Sequence, residues 1–306
     1  MVVCRSGFVL ALGVLFAVGV AEGQTARVGA TQQVVLAGVP DYRWNYGCGP
    51  TAAGMLIGYW QRQKEAFYPL VEYRDGQGRR APVPVDDRLT MDRPARGAVG
   101  PASWNEGHGD VQIDRFIASL GHSRDYWDFT RPAEALYSLT VDPMLDHHAD
   151  DSLADFLWTS RGVMGMNGST LPWDMAAGLK RYAEWRGFGG DSGYTVRSEV
   201  AYVPIFEQLM SEIMDGNPAI LMVDLKGSWL SLDWHFVTAY GYQDLGPGGK
   251  WVAVRDTWKS DGAYRALPIE TKVRDGVRWW KWNTELVSAK AAVRGMITFQ
   301  LEKDKR

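Results

Sequence analysis

The sequence has little cysteine: it contains only two cysteines among 306 residues. Cys4 stands just before an unbroken apolar run, residues 8–20, which is too short to span a bilayer comfortably. A basic residue before the run and small residues after it predict a cleavable signal peptide over residues 1–23. Cys48 is then the only thiol of the exported chain, which excludes an internal disulfide. Catalysis is one reason to keep such a thiol, and burial as a small apolar side chain is the other.

A large charge of one sign is also missing, because 33 basic and 36 acidic residues give a formal net charge of −3. This balance offers no electrostatic case for binding nucleic acid or an anionic membrane. No second long apolar run occurs, so we expect no membrane span in the mature chain, which would be periplasmic or extracellular. A hydrophobic content of 46% excludes a disordered chain. We therefore expect one globular domain over residues 24–306, with a long elaboration at about 64–198.

The motif around Cys48 is Tyr-Gly-Cys-Gly-Pro-Thr, residues 46–51. Pro50 suits the first turn of a helix, and apolar residues then recur at helical spacing, so we predict an amphipathic helix to about Gln63. The free N–H groups and dipole at a helix N-terminus stabilise a thiolate, which is the nucleophilic form of cysteine. The motif therefore predicts that Cys48 is a nucleophile. The alternative is a tight glycine-rich turn that leads into a core helix.

Histidine is scarce as well, and only five side chains can serve as the base. His108 lies in a polar, glycine-rich stretch that is typical of a loop, and His122 follows a helical run, where a histidine is commonly a dipole partner. His147 and His148 lie in an acidic stretch, residues 146–151, that is either a weak metal site or a solvated helix start. Because a third ligand at recognisable spacing is missing, we favour the helix start and predict no metal site and no cofactor.

His235 begins a β-branched and aromatic run, residues 236–242, that predicts a strand. A glycine-rich turn and a second predicted strand, residues 251–254, follow it. If the two strands form an antiparallel hairpin, Asp256 lies beside His235. The Asp256 carboxylate can then accept the imidazole N–H and orient the ring.

Together, Cys48, His235 and Asp256 predict a catalytic triad of nucleophile, base and orienting group. Asp233 and Asp244 compete for the carboxylate role, but Asp256 has the better hairpin register. A strand-edge histidine and a capping aspartate are the structural alternative.

Several motifs carry a resemblance to a known family. They are Val39-Pro40, Gly47-Cys48-Gly49-Pro50-Thr51-Ala52-Ala53, His235-Phe236-Val237-Thr238 with Gly241-Tyr242, and Asp256-Thr257-Trp258. In these motifs the chain resembles the peptidase C39-like family of papain-like cysteine peptidases, which share the order Cys, His, Asp. The segments at residues 206–214 and 216–223 are similar to the helix and the Gly-x-Pro strand that precede the family's histidine. The resemblance implies an α+β, papain-like fold, in which an N-terminal catalytic helix packs on an antiparallel β-sheet that bears the histidine and the carboxylate.

The stretch before Cys48 departs from that family. Papain-like peptidases usually carry a glutamine there, whose side chain helps the cysteine N–H to bind the oxyanion. Asn45 is the only side-chain amide between Pro40 and Cys48, so we predict Asn45 as the oxyanion donor. A plain turn residue is the alternative for Asn45.

The elaboration has helical periodicity in three places, residues 110–120, 150–159 and 173–185. Residues 74–100 are rich in glycine, proline and charge and predict a long loop or lid.

The sequence thus predicts a secreted thiol protease that hydrolyses peptide bonds of a peptide or protein substrate through Cys48, His235 and Asp256. A papain-like binding protein with weak catalysis is one alternative, because the glutamine is missing. An acyl or amide transferase that uses the same triad is another.

Overall fold

The structure is a computed structural model that describes residues 26–28, 31–42, 44–85, 111–119, 121–122, 148–161, 168–224, 234–257, 270–282 and 292–304. The predicted signal peptide, His108, His147 and Asp233 lie outside these residues.

The described chain is a mixed α+β protein. Its helices are α1 (Cys48–Gln63), α2 (Val111–Ile117), α3 (Leu153–Phe156), α4 (Pro172–Trp185) and α5 (Phe206–Met214). Its strands are β1 (Ala26–Val28), β2 (Thr31–Val35), β3 (Tyr194–Tyr202), β4 (Ala219–Asp224), β5 (Trp234–Asp244), β6 (Lys250–Arg255), β7 (Thr271–Arg274), β8 (Val277–Lys281) and β9 (Ala292–Lys303). Among these helices none is long and apolar enough to cross a membrane.

All nine strands of the described residues belong to one sheet, in which seven have the order β3-β9-β4-β5-β6-β8-β7. β2 pairs with β5, and β1 extends the sheet beyond β2. Every pairing between the described strands is antiparallel. The predicted hairpin is confirmed, because β5 and β6 pair with Tyr242 opposite Val252.

The two faces of the sheet carry different helices. Ile220, Met222 and Phe236 pack into one core with α1, α2, α3 and α4. Leu221 and Val237 point to the other face, where they share a core with residues of α5. This alternation follows from the period of two along a strand. Because both faces of β4 are covered, its six residues are all buried.

α1 is more deeply buried than its sequence predicts. Every residue from Gly49 to Tyr59 is buried, although the sequence predicts a helix with one polar face. The reason is that the elaboration adds α2, α3 and α4 to the side of α1 that faces away from the sheet. A helix that is covered on all sides has no polar stripe to maintain.

Candidate active site

Cys48 is the first residue of α1, as the motif predicts. Two glycines allow another chain segment to approach it closely. A Cβ atom on Gly47 would lie 2.3 Å from the carbonyl oxygen of Gly168, and one on Gly49 would lie 2.7 Å from Oγ1 of Thr170. These glycines are therefore required by close packing beside the thiol.

The thiol of Cys48 contacts the start of β5. Burial raises the pKa of this thiol, and hydrogen bonds from the backbone of Phe236, Gly49 and Cys48 itself offset the increase only in part. Phe236 directly follows His235 in the chain, so one peptide bond separates His235 from a group that touches the thiol. The packing of α1 on β5 supports this arrangement, because Oγ1 of Thr238 donates to the carbonyl of Ala52 at 3.1 Å.

His235 is buried and is held by the main chain of Asp256. Its Nε2 lies 2.9 Å from the carbonyl oxygen of Asp256. Because a carbonyl can only accept, Nε2 carries the proton and Nδ1 carries the lone pair of the neutral ring. Burial lowers the pKa of His235 to about 3, against the opposing effect of the bond to Asp256. The imidazole is therefore neutral at physiological pH.

Asp256 lies beside His235, directly after the end of β6. The sequence predicts that its carboxylate orients the ring, but the contact at Nε2 is made by its carbonyl oxygen. The carboxylate forms an ion pair with Arg278 of β8 at 2.5 Å. Asp244 stands at the other end of the eleven-residue β5, where its Oδ1 accepts the N–H of Gly246. Of Asp256 and Asp244, the two candidate carboxylates that the structure describes, Asp256 is the one near His235.

Asn45 differs from its predicted role as the oxyanion donor. Its Nδ2 donates to the carbonyl oxygen of Asp114 in α2 at 3.0 Å. Its backbone N–H donates to Oγ1 of Thr51 at 2.9 Å, and that hydroxyl in turn donates to the carbonyl of Gly47 at 2.7 Å. Asn45 therefore fixes the turn before α1, which matches the alternative that the sequence left open.

His122 belongs to a second polar cluster, of which the sequence indicated only the acidic stretch at residues 146–151. It was expected to interact with the end of a helix, but its Nδ1 lies 2.6 Å from Oδ1 of Asp155. Its ring packs edge-on against Tyr46 at 4.5 Å, two residues before Cys48. His148 approaches the same Asp155 oxygen at 3.2 Å. Spacings of three and four residues from His148 to Asp151 and on to Asp155 were the available signal.

Asp155 is the centre of this cluster. Ser152 donates to its Oδ2 from both the hydroxyl, at 2.6 Å, and the backbone N–H, at 3.0 Å. Burial acts to raise the pKa of Asp155, but the hydrogen bonds from His122 and Ser152 outweigh it and hold the pKa well below its usual range. Asp155 is therefore an ionised carboxylate in the protein interior.

Comparison of the chain with models of known protein families gives no match, and no curated protein matches it. The geometry around Cys48 is thus the basis for a functional interpretation.

Proposed function

We propose that the protein is a cysteine peptidase with a papain-like arrangement of its catalytic residues. The observation that carries the proposal is the position of Cys48 at the N-terminus of α1, which packs on β5, the strand that bears His235. A thiol, an imidazole and a group that orients the imidazole are the components of nucleophilic acyl transfer.

In the proposed reaction, Nδ1 of His235 takes the proton of the thiol while the sulfur attacks the carbonyl carbon of a peptide bond. The tetrahedral intermediate collapses when the imidazolium protonates the leaving amine. A thioester to Cys48 remains, and water attacks it with His235 acting again as the base. The carbonyl of Asp256 keeps the ring in the required tautomer through its bond to Nε2.

The oxyanion binds to backbone donors in this proposal. The N–H groups of Cys48 and Gly49, which donate to the thiol in the free protein, are at the start of α1, where the first four N–H groups of a helix have no backbone partner within the helix. The positive end of the α1 helix dipole also stabilises the negative charge that develops on the oxygen.

The electrostatics of the site favour a second candidate function, a binding protein with slow catalysis. Burial raises the pKa of the Cys48 thiol and lowers the pKa of His235, so both groups are neutral before substrate arrives. Cysteine peptidases with a preformed thiolate have a thiol pKa far below the ordinary value. A neutral pair must transfer its proton during the attack, which makes the thiol a weaker nucleophile.

Hydrolysis of a mixed library of unstructured peptides distinguishes these functions. A peptidase gives cleavage products that vanish in Cys48→Ala and in His235→Gln, whereas Asp244→Asn, far along β5, cleaves at the wild-type rate. Peptide binding without cleavage supports the binding protein, and transfer of the acyl group to an added amine supports the transferase. Export after removal of residues 1–23 and a peptide or protein substrate are part of the same proposal.

A further inference from the structure

The cluster around Asp155 contains three side chains of the types that bind metal ions. One donor atom from each of His148, Asp151 and Asp155 lies within 4.8 Å of the other two. The cluster is outside the proposed catalytic residues, and the function proposed for Cys48 makes no use of it.

Two distances within the cluster match the spacing of ligands on a metal ion. Nε2 of His148 lies 3.2 Å from Oδ1 of Asp155 and 3.5 Å from Oδ1 of Asp151. The first distance is also within the range of an N–H···O hydrogen bond, about 2.7–3.2 Å, whereas the second is longer. Ligands on a tetrahedral zinc ion, with bonds of about 2.0–2.1 Å, are about 3.3–3.4 Å apart. By contrast, the bond from His122 to Asp155 is 2.6 Å long and is an ordinary strong hydrogen bond.

The three donors are presented from a short stretch of chain. Asp155 lies in α3, Asp151 lies four residues earlier, just before that helix, and His148 precedes Asp151 by three. The Asp155 side chain is fully buried, that of His148 is 23% exposed and that of Asp151 is 55% exposed. The cluster is therefore closed on the inside and open to solvent at Asp151, which gives an ion a path of entry.

Groups outside the three donors hold Asp155 in place. His122 donates to Oδ1 of Asp155 and Ser152 donates to Oδ2, each at 2.6 Å. Hydrogen bonds of this kind orient ligands in metal sites, and their loss typically weakens metal binding by about 10–100-fold.

The charges in the cluster match a divalent cation. Asp150 forms its own ion pair with Arg161 at 2.9 Å, so Asp151 and Asp155 supply the two negative charges that face His148. An imidazole ligand favours zinc over calcium or magnesium, which prefer oxygen ligands.

We propose that His148, Asp151 and Asp155 bind one zinc ion, with water in the fourth position. The ion lies behind the loop that carries the nucleophile, because His122 bonds to Asp155 and packs on Tyr46. Its role is structural: it fixes α3 and, through His122, the turn before Cys48.

Calorimetric titration of the chelator-treated protein with Zn²⁺ tests this proposal. The titration uses the Cys48→Ala variant, so that zinc cannot bind to the thiol. We expect one equivalent of zinc and a rise in Tm on binding. The additional change Asp151→Asn or His148→Asn lowers the zinc affinity by more than 100-fold. Asp150→Asn, which changes the neighbouring carboxylate, leaves the affinity within threefold.

Absence of zinc binding in the Cys48→Ala variant overturns the proposal, and so does binding that persists unchanged in Asp151→Asn. Because Asp151 is exposed, that variant folds, and its circular dichroism spectrum shows this independently. If His148→Asn fails to fold, the comparison of Asp151→Asn with Asp150→Asn decides the question.

Discussion

At the scale of single residues, His235 is defined by its burial. Its neutral state leaves Nδ1 with a lone pair, and burial makes protonation of the ring in the folded protein costly. The sequence placed His235 at the start of a strand correctly. It could not show the burial, since that depends on elements far away in the chain.

This burial predicts how stability depends on pH. The unfolded His235 takes up a proton near pH 6.5, whereas the folded residue does so only near pH 3. Between these values the unfolded state binds more protons, so the free energy of unfolding falls by about 1.4 kcal/mol for each unit that the pH decreases. Urea unfolding of the wild type and of His235→Gln from pH 7 to 4 measures this. As the pH falls, the free energy of unfolding of the wild type should decrease relative to that of His235→Gln. A difference that does not change with pH contradicts the buried neutral state.

Asp256 shows why a residue can be predicted but its contact cannot. The hairpin register indicated that Asp256 lies near His235. In the structure Asp256 is near His235, and its carbonyl oxygen makes the contact with the ring. Which atom of Asp256 faces the ring depends on Arg278, which binds the carboxylate from β8, a strand that the sequence analysis did not predict.

Asp256→Asn separates the two possible contacts. The carbonyl is unchanged in this variant, so we expect kcat/KM for peptide cleavage to fall by less than about tenfold. Loss of a triad carboxylate that orients the base costs about 10⁴-fold. Asp244→Asn is the control and should match the wild type. A 10⁴-fold loss in Asp256→Asn with an intact fold would assign the orienting role to the carboxylate.

At the scale of elements, local sequence patterns were sufficient to predict a helix or strand wherever one motif specifies one element. Pro50 and the helical spacing after it predicted α1, and the run that follows His235 predicted β5. α5 and β4 also match their predicted segments. β3 and β7 were missed, because these largely exposed strands lack the apolar runs that identify a strand. β8 was missed as well, although its Trp279 and Trp280 are buried.

The contact of α1 with residues 168–170 gives an element-scale prediction. Gly47→Ala places a methyl group 2.3 Å from the Gly168 carbonyl, so the two segments must separate. We expect a loss of about 1–3 kcal/mol in the free energy of unfolding, as for other overpacked sites. Gly76→Ala adds the same methyl group where nothing lies within 4 Å and should change stability by less than about 0.5 kcal/mol. Equal urea midpoints for the two variants would show that the segments do not pack as described.

At the scale of the whole molecule, the elaboration is part of the core. The sequence predicted helices in this segment, which we expected to be an addition to the core. The structure shows α2, α3 and α4 sharing one core with α1 and the sheet. Sequence periodicity identifies the buried side of each helix, but it does not identify the partner that covers that side.

A buried ion pair joins two central strands of the sheet. Arg294 of β9 contacts Asp224 of β4 at 3.2 Å, and both side chains are almost fully buried. Arg294→Met leaves the Asp224 charge buried without this partner, so we expect a loss of about 3–5 kcal/mol in the free energy of unfolding. Arg197→Met, in the exposed pair with Glu302, is the matched control and should cost at most about 1 kcal/mol. Urea unfolding measures both, and similar losses would contradict a buried pair.

The central claim is that His235 activates Cys48. Its most direct test is the rate at which a thiol-directed peptidyl electrophile modifies the protein at pH 7, with the modified residue mapped by mass spectrometry. We predict one adduct, on Cys48, and a rate that falls by about 10²–10⁴-fold in His235→Gln, the range that a general base contributes. Asp244→Asn should react at the wild-type rate. Modification of Cys48 at the same rate with and without His235, or no modification at all, would contradict the account.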